Sequence, residues 1–76
     1  MATPDSRRQR RLAGGELTSL VVRHLRAYPG LDVSPHEVAT VLGRSHGTIR
    51  RILLRLADTG TVTRTQHRPA RFRITT

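Results

Sequence analysis

The sequence predicts an α+β domain of three helices followed by a two-stranded β-hairpin, and three observations carry that expectation. Apolar residues recur at helical spacing in three successive segments, each closed by glycine or by a Pro-Gly pair. Only Gly43, Arg44 and Ser45 separate the second segment from the third. The last segment then changes to a period of two on either side of His67-Arg68-Pro69-Ala70.

The first helix is predicted over about Glu16 to Ala27. Leu17, Leu20, Val21, His24, Leu25 and Tyr28 fall on one face, with Gly14 and Gly15 breaking the chain before it and Pro29 and Gly30 after it. Residues 1–13, with the run Arg7, Arg8, Gln9, Arg10, Arg11, are too polar and self-repelling to bury surface and read as a flexible basic arm. Residues 14–76 form the folded domain. Leu31, Asp32 and Val33 alternate over three residues, enough for a short edge strand or an extended link.

Ser34-Pro35-His36-Glu37 is a complete helix start: Ser34 can cap the third amide, Pro35 suits the first helical position, and Glu37 can close a capping box. The second helix therefore runs about Pro35 to Leu42, with Val38, Ala39 and Leu42 inward. Gly43 supplies a left-handed stop and Ser45 a second N-cap, which is helix-turn-helix spacing. In the third helix, about His46 to Thr59, the buried stripe is Ile49, Ile52, Leu53 and Leu56, and Gly60 ends it.

Thr61 to Gln66 and Arg71 to Thr75 pair as a hairpin with a four-residue loop. Val62, Phe72 and Ile74 share the core face, and Arg71 and Arg73 project outward. Leu54 and Val22 lie off the main stripes and either pack under the hairpin or form a subunit contact.

The chain has 76 residues, room for one small domain, and 36% apolar content supports a thin core. A large substrate cavity is not expected. Fourteen basic residues, all Arg, against five acidic ones give a net charge of +9, which attracts polyanions. Guanidinium grips phosphate and guanine edges bidentately, although an all-Arg composition is equally the mark of a GC-rich genome. The absence of Cys excludes disulfides, zinc fingers and thiol catalysis and fits a reducing compartment. No apolar run approaches the roughly 20 residues of a membrane span, and no secretory signal follows the first arginines. A soluble protein of the cytoplasm, at the nucleoid, is expected.

The order of elements resembles a winged helix-turn-helix DNA-binding domain over about Glu16 to Thr75. The likeness is carried by Ser34 to Val62, where Glu37, Ala39, Leu42, Gly43, Ser45, Thr48, Ile49, Leu53, Leu56 and Gly60 look like the bacterial version. Ser45, Thr48, Ile49 and Arg50 are similar to the start of the recognition helix in GntR-type regulators. That resemblance implies phosphate contacts from Ser45 and Thr48 and a base contact from Arg50. The 76 residues leave no room for the effector domain of such regulators, so control by a ligand is not expected. The domain resembles equally the terminal modules of actinobacterial plasmid-transfer DNA translocases, and a chain ending just past its last strand suits such a module.

The residues point the same way without the family. A helix N-terminus offers free amides and partial positive charge to a phosphate, and Ser45, His46, Gly47 and Thr48 lie there. Arg50 and Arg51 follow about 100 degrees apart, so at most one faces base edges squarely. Arg44 and Arg55 flank them, and Arg68 at the hairpin tip suits a narrow minor groove. Arg64, Arg71 and Arg73 are placed for phosphates. The plainer readings are that exposed helical arginines are solvated solubilising residues, that Arg68 is a turn residue in water, and that the strand arginines shield a sheet edge. The arm at Arg7 to Arg11 either tracks DNA, extends the first helix or is foreign to the domain.

No catalytic constellation is expected. His24 reads as a half-buried neutral imidazole, and the four histidines lack metal-ligand spacing. Glu16 and Glu37 are explained by helix starts, and Asp32 and Asp58 have no catalytic partner. There is no Gly-rich phosphate loop or nucleophile motif. The expected partner is double-stranded DNA, with no enzyme activity, cofactor, metal, membrane or evident small-molecule ligand. The expected state is a monomer or a weak dimer, formed on DNA if at all. A protein-interaction scaffold is the alternative from another class. Single-stranded nucleic acid or RNA is disfavoured because Tyr28 and Phe72 are claimed by the core.

Overall fold

The computed structural model describes the chain over residues 3–75, with side-chain environments from residue 15 onward. The elements are α1 (Thr3–Ala27), α2 (Pro35–Leu42), α3 (His46–Asp58), β1 (Val62–His67) and β2 (Ala70–Ile74). Three helices precede an antiparallel hairpin, the α+β arrangement predicted, and it is consistent with a winged helix. Among the described residues no helix is long and apolar enough to cross a membrane.

α1 differs from its expected start. The helical backbone runs through Gly14 and Gly15 to Thr3, where a break had been expected. Each glycine costs a helix roughly 1 kcal/mol relative to Ala, a cost that Arg, Gln, Leu and Ala on either side offset in part. What the side chains of Arg7 to Arg11 touch lies outside the described residues. Leu17, Val21 and Leu25 form the buried stripe, and Leu20 and Val22 pack partly buried against the core.

Tyr28 corrects the sequence reading, since it is 53% exposed and no part of the core. The helix ends at Ala27, so the residue that would continue the stripe has left the helical path. Its ring meets His24 edge-on at 5.5 Å instead. The aromatic ground for setting aside single-stranded ligands therefore rests on Phe72 alone.

The start of α2 is as predicted. Ser34 Oγ accepts from the Glu37 amide at 3.1 Å, and Glu37 Oε1 accepts from the Ser34 amide at 2.9 Å. Gly43 stops the helix at φ 67°, and the Arg44 amide donates to the Ala39 carbonyl at 3.0 Å. Ser45 caps α3 through the Thr48 amide at 3.2 Å. At the far end of α3, Thr61 N donates to Leu56 O at 2.9 Å and Gly60 takes φ 83°. Ile49, Ile52, Leu53 and Leu56 are buried, and Leu54 packs against the core in company with Val22.

The hairpin is tighter than predicted. Pairing continues to His67 and Ala70, so the four-residue loop becomes a two-residue turn, Arg68-Pro69, with a cis peptide bond. Gln66 Nε2 donates across it to Pro69 O at 2.9 Å. A register shift between Arg64 and Gln66 absorbs the extra length of β1. Val33 bridges β2 through two 2.8 Å backbone bonds with Phe72, so the Leu31-Val33 link serves as a one-residue edge strand.

Val62, Phe72 and Ile74 face the core as predicted and meet Val21, Leu25, Val38, Ile49 and Leu53. No polar or charged residue is buried there among the described residues. Phe72 is fully buried, so Phe72→Ala is expected to cost about 3–5 kcal/mol, a large share of what a domain this small has. Urea denaturation followed by circular dichroism checks it, and a loss below about 1 kcal/mol would contradict the assignment.

The hydrogen bond from the Ser34 amide chiefly holds the Glu37 carboxyl below its ordinary pKa; slight burial opposes this and the Arg71 charge reinforces it. A folded-state pKa below the unfolded one gives stability that is present above the unfolded value and lost as pH falls through the folded one. The stability advantage of the wild type over Glu37→Gln, which keeps a capping acceptor, should therefore shrink as pH drops through the carboxylate range. Parallel pH-stability curves would sink this explanation.

Candidate nucleic-acid interface

The starts of α2 and α3 and the tip of the hairpin enclose one open groove of about 500 Å³. Helix geometry decides what enters it. Turning about 100 degrees per residue, α3 buries Ile49, Ile52, Leu53 and Leu56 and turns Gly47, Arg51 and Arg55 away from the core. His46 and Arg50 lie to one side of that outer face and line the groove. Arg50 and Arg51, joint candidates by sequence, are thus separated: Arg50 faces the hairpin tip, and Arg51 crests the exposed face.

From the opposite wall come His67, Arg68 and Arg71, and from α2 comes His36. The rings of His36 and His46 stand nearly perpendicular with centroids 6.0 Å apart. Ser34, Pro35, Pro69 and Ala70 complete the lining, so no carboxylate contributes to it among the described residues. His36 and His67 were not among the predicted site residues. The available signal was positional: His36 is the second residue of α2 and His46 the first of α3, so two adjoining helix starts bring the rings together.

The remaining predicted residues divide by what already holds them. Ser45 Oγ donates to Thr48 Oγ1 at 2.8 Å while capping its amide, which leaves the Thr48 hydroxyl proton directed elsewhere. Arg44, Gly47, Arg51, Arg55 and Arg68 are exposed. Arg71 and Arg73 project from the strand face opposite Phe72, as the period predicts, but both have partners within the fold. Arg71 Nη2 donates to Asp32 O at 2.8 Å and lies 3.4 Å from Glu37 Oε1, and Arg73 Nη1 is 3.7 Å from Asp32 Oδ1. Arg64 is half-buried with its guanidinium 5.9 Å from the Phe72 ring centre, so it covers the core instead of lining the groove.

This surface can attract an extended anion. α3 carries no acidic residue in its first turn, so its partial positive end is uncompensated. Arg50 and Arg68 both line the groove, and among the described residues neither is held by a carboxylate. No family model matches the chain, and no curated protein matches it.

Gly47 has an ordinary helical backbone and open space where a Cβ would stand. Gly47→Ala is therefore expected to stabilise the domain by about 0.5–1 kcal/mol. If the bare backbone instead serves close approach to a phosphate, the same variant weakens duplex DNA binding while raising Tm. Thermal melts and binding isotherms on one preparation separate the effects; a lower Tm would contradict the open-space argument.

Proposed function

We propose that this domain binds double-stranded DNA as a winged helix-turn-helix module, with α3 in the major groove and the hairpin tip on the backbone or in the minor groove. The observation that carries the reading is the groove between α3 and the hairpin: it presents Arg50 and Arg68 on facing walls, beside the exposed Arg51 and Arg55 of α3, with no carboxylate in its lining. Arg51, at the crest of α3, reads base edges. Arg50, inside the groove, grips a strand with Arg68, while Ser45, His46, Gly47 and Thr48 meet a phosphate at the helix start. Arg44 adds charge beside them, and Arg71 and Arg73 chiefly brace the hairpin.

The proposed role is a small bacterial transcriptional regulator acting at the nucleoid, without enzymatic activity or a cofactor. A DNA-docking module of a larger DNA-processing or plasmid-transfer protein has the same surface. One observation favours a protein contact in addition: Tyr28, Leu31 and Val41 are exposed together around a depression of about 360 Å³ that adjoins the groove at Arg71.

Selection of bound sequences from random duplex DNA is the first experiment. A motif is expected, and binding of neither selected nor scrambled duplex at low salt would overturn the reading. On the selected site, Arg51→Ala is expected to cost about 1–3 kcal/mol and to relax preference at one position. Arg50→Ala should weaken selected and scrambled duplexes alike and lower the salt slope by about 1. Identical behaviour of the two variants would contradict their separate roles.

A further inference from the structure

We propose that the groove is a proton-linked phosphate seat, in which His36, His46 and His67 take up protons as a backbone phosphate of duplex DNA enters. The proposal rests on the DNA-binding reading and adds residues and a pH dependence that the reading does not require.

Three of the chain's four histidines converge there from α2, α3 and β1, although 31 positions separate His36 from His67. All three are exposed, so none is recruited as core filling. His36 and His46 stand at the partial positive ends of two helices with their rings 6.0 Å apart. The charged groups around them are Glu37 on α2, Arg50 on α3, Arg68 in the turn, Arg71 on β2 and, on β1, Arg64, whose Nη2 donates to the His67 carbonyl at 3.5 Å. Glu37 is paired with Arg71 at 3.4 Å and also faces His36, and among the described residues no carboxylate pairs with Arg50, Arg64 or Arg68.

A proton on a ring adds a cation beside Arg50, Arg64, Arg68 and the helix ends, and Glu37 offsets that charge only at His36. A phosphate in the groove reverses each of those interactions. By linkage, a ligand that favours the protonated rings is itself bound more tightly where protons are available. The gain is therefore present at lower pH and is lost as pH rises. A metal ion is the wrong occupant, because no three His, Cys, Asp or Glu side chains among the described residues are grouped to hold one and the arginines repel a cation.

The test measures duplex affinity at constant salt from about pH 8 to about pH 6, where an unperturbed imidazole changes charge. The wild type is expected to bind about tenfold more tightly at the lower pH, and the triple variant His36→Gln, His46→Gln, His67→Gln less than about twofold more tightly. His24→Gln, a substitution on α1 outside the groove, should keep the wild-type slope. Circular dichroism at both pH values confirms that each variant is folded.

A triple variant with the wild-type slope overturns the proposal and leaves the DNA reading standing. Binding at no pH overturns both. Added inorganic phosphate at matched ionic strength is expected to leave the slope intact; if it flattens the slope, the seat takes free phosphate and its assignment to DNA is overturned.

Discussion

Phe72 joins the two halves of the structure. Its ring is fully buried between the helices and the hairpin, and its amide and carbonyl both pair with Val33 in the link between α1 and α2. On its other side it pairs with Arg64 of β1. The hairpin is thus held at the start of α2 by backbone bonds and apolar contact together. An isolated two-stranded hairpin is marginal in water, so without this tie the turn Arg68-Pro69 would have no fixed position relative to α3. The groove exists because one residue is at once core, ladder and anchor.

Charge is distributed around that anchor unevenly. Asp32 and Glu37 stand where β2 meets the α1-α2 link and the start of α2, and they take up Arg71 and Arg73. These pairs are largely exposed, and such contacts contribute little to stability individually. Their consequence is electrostatic sorting: the two carboxylates lie beside β2, and among the described residues Arg68 of the turn and the arginines of α3 have no carboxylate partner. A net charge of +9 alone would make the surface generally basic. The placement of two carboxylates gives the basicity a direction.

What was legible in the sequence was what short range determines. The capping box at Ser34, the stop at Gly43 and the N-cap at Ser45 are each written within four residues, and each forms as expected. The period-two face of Val62, Phe72 and Ile74 is equally local. Tyr28 was misread because the apolar stripe was carried one residue beyond Ala27, the end that Pro29 and Gly30 had already set. The turn was misread because Gln66 and the register shift allow pairing to continue closer to Pro69 than composition suggests. The grouping of His36, His46 and His67 was missed for a different reason: adjoining helix starts bring His36 to His46, and only the docking of the hairpin adds His67. Reading histidine spacing for metal ligands tested the wrong relation, since the relevant one was between helix starts.

The two short helices make an internal comparison that bears on function. α2 begins with everything stability favours: a reciprocal capping box, proline at the first position and an acid in the first turn. α3 begins with a serine cap, then a histidine, then Gly47 in open space, and has no acid before two adjacent arginines. Each departure costs a few tenths to about 1 kcal/mol against the alternative that α2 adopts. Three departures at one helix start all leave it without negative charge, which is the arrangement the proposed phosphate contact needs. Local rules tend to be broken where a surface has work other than folding, and in this protein the break coincides with the groove. The DNA-binding reading therefore draws on the contrast between α2 and α3, which share solvent, chain and net charge and differ in what their first turns leave unsatisfied.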